Sequence, residues 1–203
     1  MRFNEVFRTL EKNKYYIFSI DDLSLFFPKE KRENLKKVTY RWKKMGWIHS
    51  LKRGLYELAY PTDFVIPDIY VANRLYKPSY ISLETALSHY SIIPEVAMAV
   101  TSITTKPTRT FKNKHGLFIY HTIKPQAFTG YFVDKHGDFD VLIAEPEKAF
   151  IDYLYFRVYR QNKGIAFQDE RFDIDSIRKM KKRKIDKYAK LCKINLGEIY
   201  ANL

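Results

Sequence analysis

Two aspartates in the segment DFDV, Asp138 and Asp140, are spaced so that a β-strand would place both carboxylates on one face. Enzymes that transfer nucleotidyl groups hold divalent cations with carboxylates of this kind. Such a site also needs a Gly-Ser turn before the strand and a third carboxylate, and the preceding GYFVDKHG contains no Gly-Ser. We therefore expect Asp138 to lie in a turn and Asp140 to face solvent.

The segment EPEK, from Glu145 to Lys148, approaches the nuclease pattern (D/E)-x-K. Its lysine stands one residue from the position that the pattern requires, and acids at the start of a helix are favoured by the helix dipole. Helix capping therefore explains these acids better than catalysis does. Ser82 and His89 lie seven residues apart on one predicted helix. Two turns correspond to about 10 Å, which is too far for a hydrogen bond between a nucleophile and its base.

The remaining candidate metal ligands share no spacing that would bring them together. His115 and His136 each precede a glycine, as turn residues often do. The single cysteine, Cys192, makes neither an internal disulfide nor a Cys-based zinc site. No GxGxxG, Walker or HExxH motif is present. The five histidines, which have no metal-ligand spacing together, are His49, His89, His115, His121 and His136. The sequence therefore predicts no enzymatic activity, metal or cofactor.

The net charge of +13 is distributed unevenly along the 203 residues. Residues 1–66 carry 14 basic and 8 acidic groups, residues 67–170 carry 12 and 11, and residues 171–203 carry 10 and 4. Both ends are therefore basic and the middle is balanced. This distribution favours a polyanionic partner at one or both ends. A solvated basic surface without a partner is the alternative.

The N-terminal MRFNEVFRTLEK is charged throughout and lacks the apolar core of a signal peptide. No apolar run approaches the roughly 20 residues that a membrane helix needs. One cysteine is compatible with a reducing compartment. We expect a cytoplasmic protein without a membrane partner.

Residues 1–62 are predicted to form a first domain. Phe3, Val6, Phe7 and Leu10 have helical spacing, so residues 2–12 are predicted to be an amphipathic helix. YYIFSI has the β-branched and aromatic character of a strand, and DDLSLFFP predicts a short helix capped by Asp21 or Asp22.

A basic helix and a hairpin complete this domain. Leu35, Val38, Trp42 and Met45 recur at spacings of 3, 4 and 3, which predicts a stripe facing the core. Tyr40 points away from that stripe among lysines, and Gly46 follows as a helix-ending glycine. WIHSL and LYELAY flank KRG, which predicts a hairpin with Gly54 in its turn.

The order helix, strand, short helix, basic helix and basic hairpin is that of a winged helix-turn-helix. In that fold the last helix enters the major groove of DNA and the hairpin, or wing, contacts the backbone or minor groove. Lysines there neutralise phosphates and release counterions, which supplies affinity. Some winged helices bind proteins instead, so a protein- or RNA-interaction adaptor or regulator that does not read DNA is the alternative function.

Residues 63–203 are predicted to form a second, α+β domain. DIYVANRLY and YISLETALSHYSIIPE have helical character, with Ser82 as a helix N-cap. Residues 96–144 have strand character and predict a small, mostly antiparallel sheet. EPEKAFIDYLYFRVY predicts another helix, with Pro146 at its first position, and IDSIRKMKKRKIDKYAKLCKI predicts a basic C-terminal helical region.

Three segments follow the predicted winged helix in order: YISLETALSHYSIIPE, RTF followed by GLFIYHTI, and IAEPEKAFIDYLY. In these segments and their order the chain resembles the AbiEi-like antitoxin family. The resemblance extends from about residue 3 to about residue 190. Members are two-domain cytoplasmic antitoxins of type IV abortive-infection systems, which act in phage defence and lie beside a nucleotidyltransferase-like toxin. Toxin and antitoxin of this type need not form a stable complex.

This resemblance implies a transcriptional repressor that binds inverted repeats in the promoter of its own operon, and a second domain that counters the toxin. By position, the DNA contacts of the family correspond to Arg32, Lys36, Lys37, Thr39, Tyr40, Lys43 and Lys44, and those of the wing to Lys52 and Arg53. The basic surface of the second domain corresponds to Arg178, Lys179, Lys181, Lys182 and Arg183.

Overall fold

The computed structural model describes residues 1–59, 65–94, 98–159, 171–197 and 200. It divides the chain into two compact units, Met1–Ile66 and Pro67–Leu203. The predicted boundary between residues 62 and 63 lies outside the described residues. Helices and two separate sheets confirm the predicted α+β class.

The described part of the first unit contains three helices and a three-stranded antiparallel sheet of order β1-β3-β2. In this sheet Ile17 lies opposite Glu57, and Ile48 lies opposite Leu58. β2 and β3 form the predicted hairpin. The elements are α1 Phe3–Lys12, β1 Ile17–Ser19, α2 Ile20–Phe26, α3 Arg32–Lys44, β2 Ile48–Lys52 and β3 Leu55–Leu58.

Helix α2 begins earlier than predicted. Its N-cap is Ser19, not Asp21 or Asp22. The Ser19 hydroxyl accepts a hydrogen bond from the Asp22 amide at 3.1 Å, and the Asp22 carboxylate accepts one from the Ser19 amide at 2.7 Å. This reciprocal pair is a capping box, in which the acid acts from the third helical position. The prediction included the correct acid, Asp22, but placed it at the N-cap and not at the third helical position.

Packing of the first unit centres on aromatic rings. Phe3 of α1 lies with its ring centroid 5.3 Å from that of Trp42 and 4.7 Å from that of Trp47. Leu35, Val38 and Trp42 are buried as predicted, but Met45 is 59% exposed. Met45 is the C-cap of α3 and still has helical backbone angles, so it lies at the end of the stripe where its side chain remains largely open to solvent.

The second unit has more elements than the first. A 3-10 turn over Pro125–Ala127 and a π-helical turn over Tyr155–Tyr159 add to its regular helices and strands. Those are α4 Asp68–Leu75, β4 Ser79–Ile81, α5 Leu83–His89, β5 Val100–Thr104, β6 Arg109–Asn113, β7 Gly116–Thr122, β8 Tyr131–His136, β9 Phe139–Ala144, α6 Pro146–Leu154, α7 Ile174–Arg178 and α8 Lys182–Cys192.

The sheet of the second unit is larger and more mixed than predicted. Among the described residues it has six strands, which lie in the order β6-β7-β5-β4-β9-β8. β5 pairs with β7 in parallel, β4 pairs with β9 in parallel, and the other three neighbours are antiparallel. Parallel pairing needs a crossover between strands that are not consecutive, and the local strand pattern does not encode that choice.

A buried carboxylate joins helix α6 to strand β4 and to the start of α5. Asp152 forms an ion pair with Lys148, and both side chains are almost completely buried. The Asp152 carboxylate also accepts hydrogen bonds from the Tyr80 hydroxyl at 3.0 Å and from the Ser82 hydroxyl at 2.8 Å. Burial and the adjacent Asp152 raise the pKa of Tyr80 well above its usual value, so Tyr80 remains a donor.

The acids of EPEK have a different role from the predicted helix capping. Glu145 is the N-cap of α6, but its side chain makes no capping hydrogen bond. Its carboxylate instead contacts the Lys184 ammonium at 2.8 Å and accepts from the Tyr188 hydroxyl at 2.7 Å. The Glu147 carboxylate accepts from the Lys181 amide at 3.0 Å. Both acids therefore fasten α8 to the beginning of α6.

We predict that Asp152→Ala lowers the free energy of unfolding by about 3–5 kcal/mol, because it leaves the Lys148 ammonium buried without its counter-ion. Asp175→Ala is the matched control, since Asp175 is 80% exposed and faces Arg178 across 3.8 Å. The control should change stability by less than about 1 kcal/mol. Urea denaturation of both variants measures the difference, and equal destabilisation by the two substitutions would contradict a central role for Asp152.

Candidate nucleic-acid interface

Helix α3 separates an apolar face from a cationic face. Leu35, Val38 and Trp42 are buried, and they fix the helix against the rest of the first unit. Tyr40 is 60% exposed on the opposite side, as predicted. The cations at positions Lys36, Lys37, Lys43 and Lys44 are all exposed.

One cation of this face is held against the exposed ring. The Lys44 ammonium lies 5.0 Å from the centroid of the Tyr40 ring. An ammonium over an aromatic face is attracted by the negative charge of the π-system. Tyr40 thus presents a hydroxyl for hydrogen bonding beside a positioned positive charge, which is a combination suited to a phosphate oxygen.

A groove lies between the beginning of α3 and the tip of the β2–β3 hairpin. It has a volume of about 590 Å³. Four predicted DNA contacts, two from the helix and two from the hairpin, line it together. Its lining residues are Ser19, Ile20, Asp21, Arg32, Lys36, Lys52, Arg53, Gly54, Leu55 and Tyr56.

The same groove contains one carboxylate. Asp21 forms an ion pair and a hydrogen bond with the Arg32 guanidinium. This hydrogen bond and the charge of Arg32 lower the pKa of Asp21, and the same contact raises the pKa of Arg32. Both side chains are more than half exposed, so a phosphate could replace Asp21 as the partner of Arg32. Because Asp21 and Arg32 both line the groove, their ion pair keeps the Arg32 guanidinium at the groove.

The hairpin tip owes its shape to a bulge and a glycine. The register of β2 shifts between Ser50 and Lys52, and the Ser50 hydroxyl donates to the Lys52 carbonyl at 3.1 Å. Gly54 has a φ of +79°, a conformation that other residues rarely adopt. Arg53 is exposed and Lys52 half-buried, so the tip presents its cations to the solvent side of the groove.

Thr39 does not belong to the exposed face, in contrast to its predicted contact with DNA. Its side chain is 1% exposed, and its hydroxyl donates to the carbonyls of Leu35 at 2.9 Å and Lys36 at 3.0 Å. Thr39 follows Leu35 by four residues, so the helical period places it on the buried side. Its polar atom is satisfied within the helix itself.

The basic C-terminal segment of the second unit lies on the surface. Lys181 is the N-cap of α8, and the Lys182 ammonium lies 4.5 Å from the centroid of the Tyr200 ring. No acid occupies the first turn of α8, although acids there would complement the helix dipole. The predicted residues Arg178, Lys179, Lys181, Lys182 and Arg183 are all exposed.

The candidate catalytic aspartates lie where the sequence predicts. Asp138 is exposed in the turn between β8 and β9, and Asp140 is exposed on β9. Asp140 lines a cavity of about 640 Å³ together with Arg74 and Lys77. The Ser82 hydroxyl donates to Asp152 and is completely buried, so it does not face a histidine base.

Two histidines do converge, contrary to the prediction from their spacing. His89 at the end of α5 meets Asp134 and His136 of β8, and one ligand atom from each lies within 4.8 Å of the others. His136 ends a strand and is not the turn residue that its following glycine suggested. Sequence reasoning missed this cluster because His89 is far from β8 in the chain. The Asp134-x-His136 spacing was the available indication, since alternate strand residues share a face.

No protein-family model and no curated protein matches this chain. Within the described ranges, no helix has the length and apolar character needed to cross a membrane.

We predict that Thr39→Val leaves the affinity for double-stranded DNA unchanged, because the Thr39 hydroxyl is buried and bonded to its own helix. Tyr40→Ala should lower affinity about two- to tenfold, the effect of removing one hydrogen bond. Fluorescence anisotropy at fixed salt measures both, with circular dichroism as a check on folding. A decrease in affinity for Thr39→Val equal to that for Tyr40→Ala would place Thr39 in the interface.

Proposed function

We propose that the first unit is a winged helix-turn-helix that binds double-stranded DNA. The element order from α1 to β3 and the sheet order β1-β3-β2 support this assignment. Helix α3 is then the recognition helix in the major groove, and the β2–β3 hairpin is the wing at the phosphate backbone.

The observation that carries this proposal is the groove between helix and wing. Arg32 and Lys36 come from α3, Lys52 and Arg53 come from the hairpin, and all four line one space. Cations from two separate elements that face one groove suit a curved polyanion such as a DNA strand. The exposed lysines farther along α3 extend this basic surface over the rest of the helix.

The resemblance to AbiEi-like antitoxins extends the proposal to the whole chain. The protein is then a cytoplasmic antitoxin that represses its own operon at inverted repeats in the promoter. Its second domain counters a nucleotidyltransferase-like toxin as part of type IV abortive infection, and the two proteins need not form a stable complex. Two segments that carry the resemblance meet in the second unit, where Tyr80 and Ser82 of the first donate to Asp152 of the second.

We assign toxin neutralisation to the basic surface formed by Arg178, Lys179, Lys181, Lys182 and Arg183. Their exposure supports this assignment. So does the position of Lys181, Lys182 and Arg183 at the start of α8, where cations are unfavourable for the helix dipole and gain from a negatively charged partner.

The proposal as a whole is tested by gel shift of the full chain on DNA from its own promoter against a scrambled sequence, over a range of salt. Sequence-preferring and salt-sensitive retardation supports a repressor. Equal, weak binding to both DNAs would contradict it and favour an adaptor that binds protein or RNA.

The α3 lysines provide the first specific prediction. Replacing Lys36, Lys37, Lys43 and Lys44 with alanine should weaken promoter binding and flatten its salt dependence by about one unit of slope for each phosphate that is no longer neutralised. A matched control removes the same charge from four exposed lysines of the second unit, Lys106, Lys112, Lys124 and Lys135. An unchanged slope in the α3 variant would refute the recognition-helix assignment.

The basic C-terminal surface provides a second specific prediction. Replacing Lys179, Lys181, Lys182 and Arg183 with alanine should abolish rescue from the co-expressed toxin while DNA binding is retained. The control is again the second-unit variant with Lys106, Lys112, Lys124 and Lys135 replaced, which should rescue normally. Intact rescue by the C-terminal variant would show that this segment is only a solvated helix face.

A further inference from the structure

The histidine–aspartate cluster of the second unit brings together three side chains of the kinds that hold metal ions. Asp134 and His136 are alternate residues of β8, so their side chains leave the same face of the strand. His89 is the last residue of α5 and reaches the same point from a separate element. Three side chains of ligand type therefore meet without a shared sequence motif.

The two distances from Asp134 are close to those that a zinc ion requires. The Asp134 Oδ2 atom lies 3.0 Å from His136 Nε2 and 3.7 Å from His89 Nε2. With bonds of about 2.0–2.1 Å and tetrahedral angles, ligand atoms around zinc stand roughly 3.3–3.4 Å apart. The two observed separations lie on either side of that value, and the 3.0 Å contact is a hydrogen bond that a bound cation would replace. The histidine ligand atoms lie within 4.8 Å of one another, so binding a cation would draw the two imidazoles together by up to about 1.5 Å.

The carboxylate is held in place by the backbone. Asp134 Oδ1 accepts a hydrogen bond from the Lys135 amide at 3.0 Å, which leaves Oδ2 directed at the two imidazoles. Such outer contacts orient metal-binding carboxylates and histidines in known sites. Both Nε2 atoms lie close to this one oxygen, and the three side chains bring one ligand atom each within 4.8 Å of the others.

We propose that His89, Asp134 and His136 form a binding site for a divalent transition metal, with zinc as the preferred ion. Two imidazoles and one carboxylate suit zinc, whereas magnesium and calcium prefer sites made of oxygen atoms. His89 and Asp134 are 36% and 33% exposed, so solvent reaches the cluster and supplies the fourth ligand as water.

Zinc at this point would connect the end of α5 to the β8–β9 hairpin. The site forms only when these elements are folded, so bound metal stabilises the folded second unit. The proposal does not depend on DNA binding or on toxin neutralisation.

The test uses the untagged full chain, freed of metal by a chelator and then titrated with zinc. Calorimetry should give one zinc ion per chain. The thermal midpoint should rise by about 5–10 °C when zinc is 100-fold above its dissociation constant, and magnesium should have no effect. No rise in the unsubstituted protein at millimolar zinc would overturn the proposal.

Variants locate the ion. Asp134→Asn and His136→Ala should each lower zinc affinity at least tenfold and remove the rise in midpoint. His115→Ala is the matched control, since His115 pairs with Asp68 elsewhere in the second unit and should leave zinc binding unchanged. Circular dichroism without metal establishes that each variant is folded. Unchanged zinc affinity in both Asp134→Asn and His136→Ala would place the ion elsewhere and overturn the site.

Discussion

The Asp152 carboxylate is the constraint around which the second unit is built. A buried carboxylate is costly unless every oxygen is compensated, and Asp152 receives the Lys148 ammonium and the hydroxyls of Tyr80 and Ser82. These partners come from α6, β4 and the start of α5. Satisfying one charge therefore fixes a helix against the centre of the sheet, where β4 pairs with both β5 and β9.

Positions that look catalytic in the sequence are consequences of this architecture. Ser82 donates a hydrogen bond to the buried carboxylate of Asp152, and Glu145 and Glu147 fasten α8 to α6. Burial raises the pKa of Tyr188. Burial alone would also raise the pKa of Glu145, but the hydrogen bonds from Lys184 and Tyr188 outweigh it and lower that pKa. Glu145 therefore stays ionised at neutral pH, and the start of α8 is held while its flanking cations remain exposed.

In the first unit, apolar contacts hold the basic helix α3 in place while its cations remain exposed. Trp42 packs on Phe3 and anchors α3, which turns the lysines of the helix outward. The lysines of α3 repel one another and do not hold the helix in place. Its position depends on the buried side chains of Leu35, Val38 and Trp42. The hairpin then adds Lys52 and Arg53 beside the first turn of α3, which gives the groove its charge.

The sequence by itself determined the α+β class, most helices and strands, the hairpin around Gly54 and the outward direction of Tyr40, because periodicity and turn residues are local properties. It did not determine the inward position of Thr39, at the margin of the helical stripe, or the exposure of Met45 after the helix ends. Only the tertiary structure decided the six-stranded order, the partners of Asp152 and the meeting of His89 with His136. These features join residues far apart in the chain, and their pairing depends on which elements pack together, a choice that no local pattern encodes.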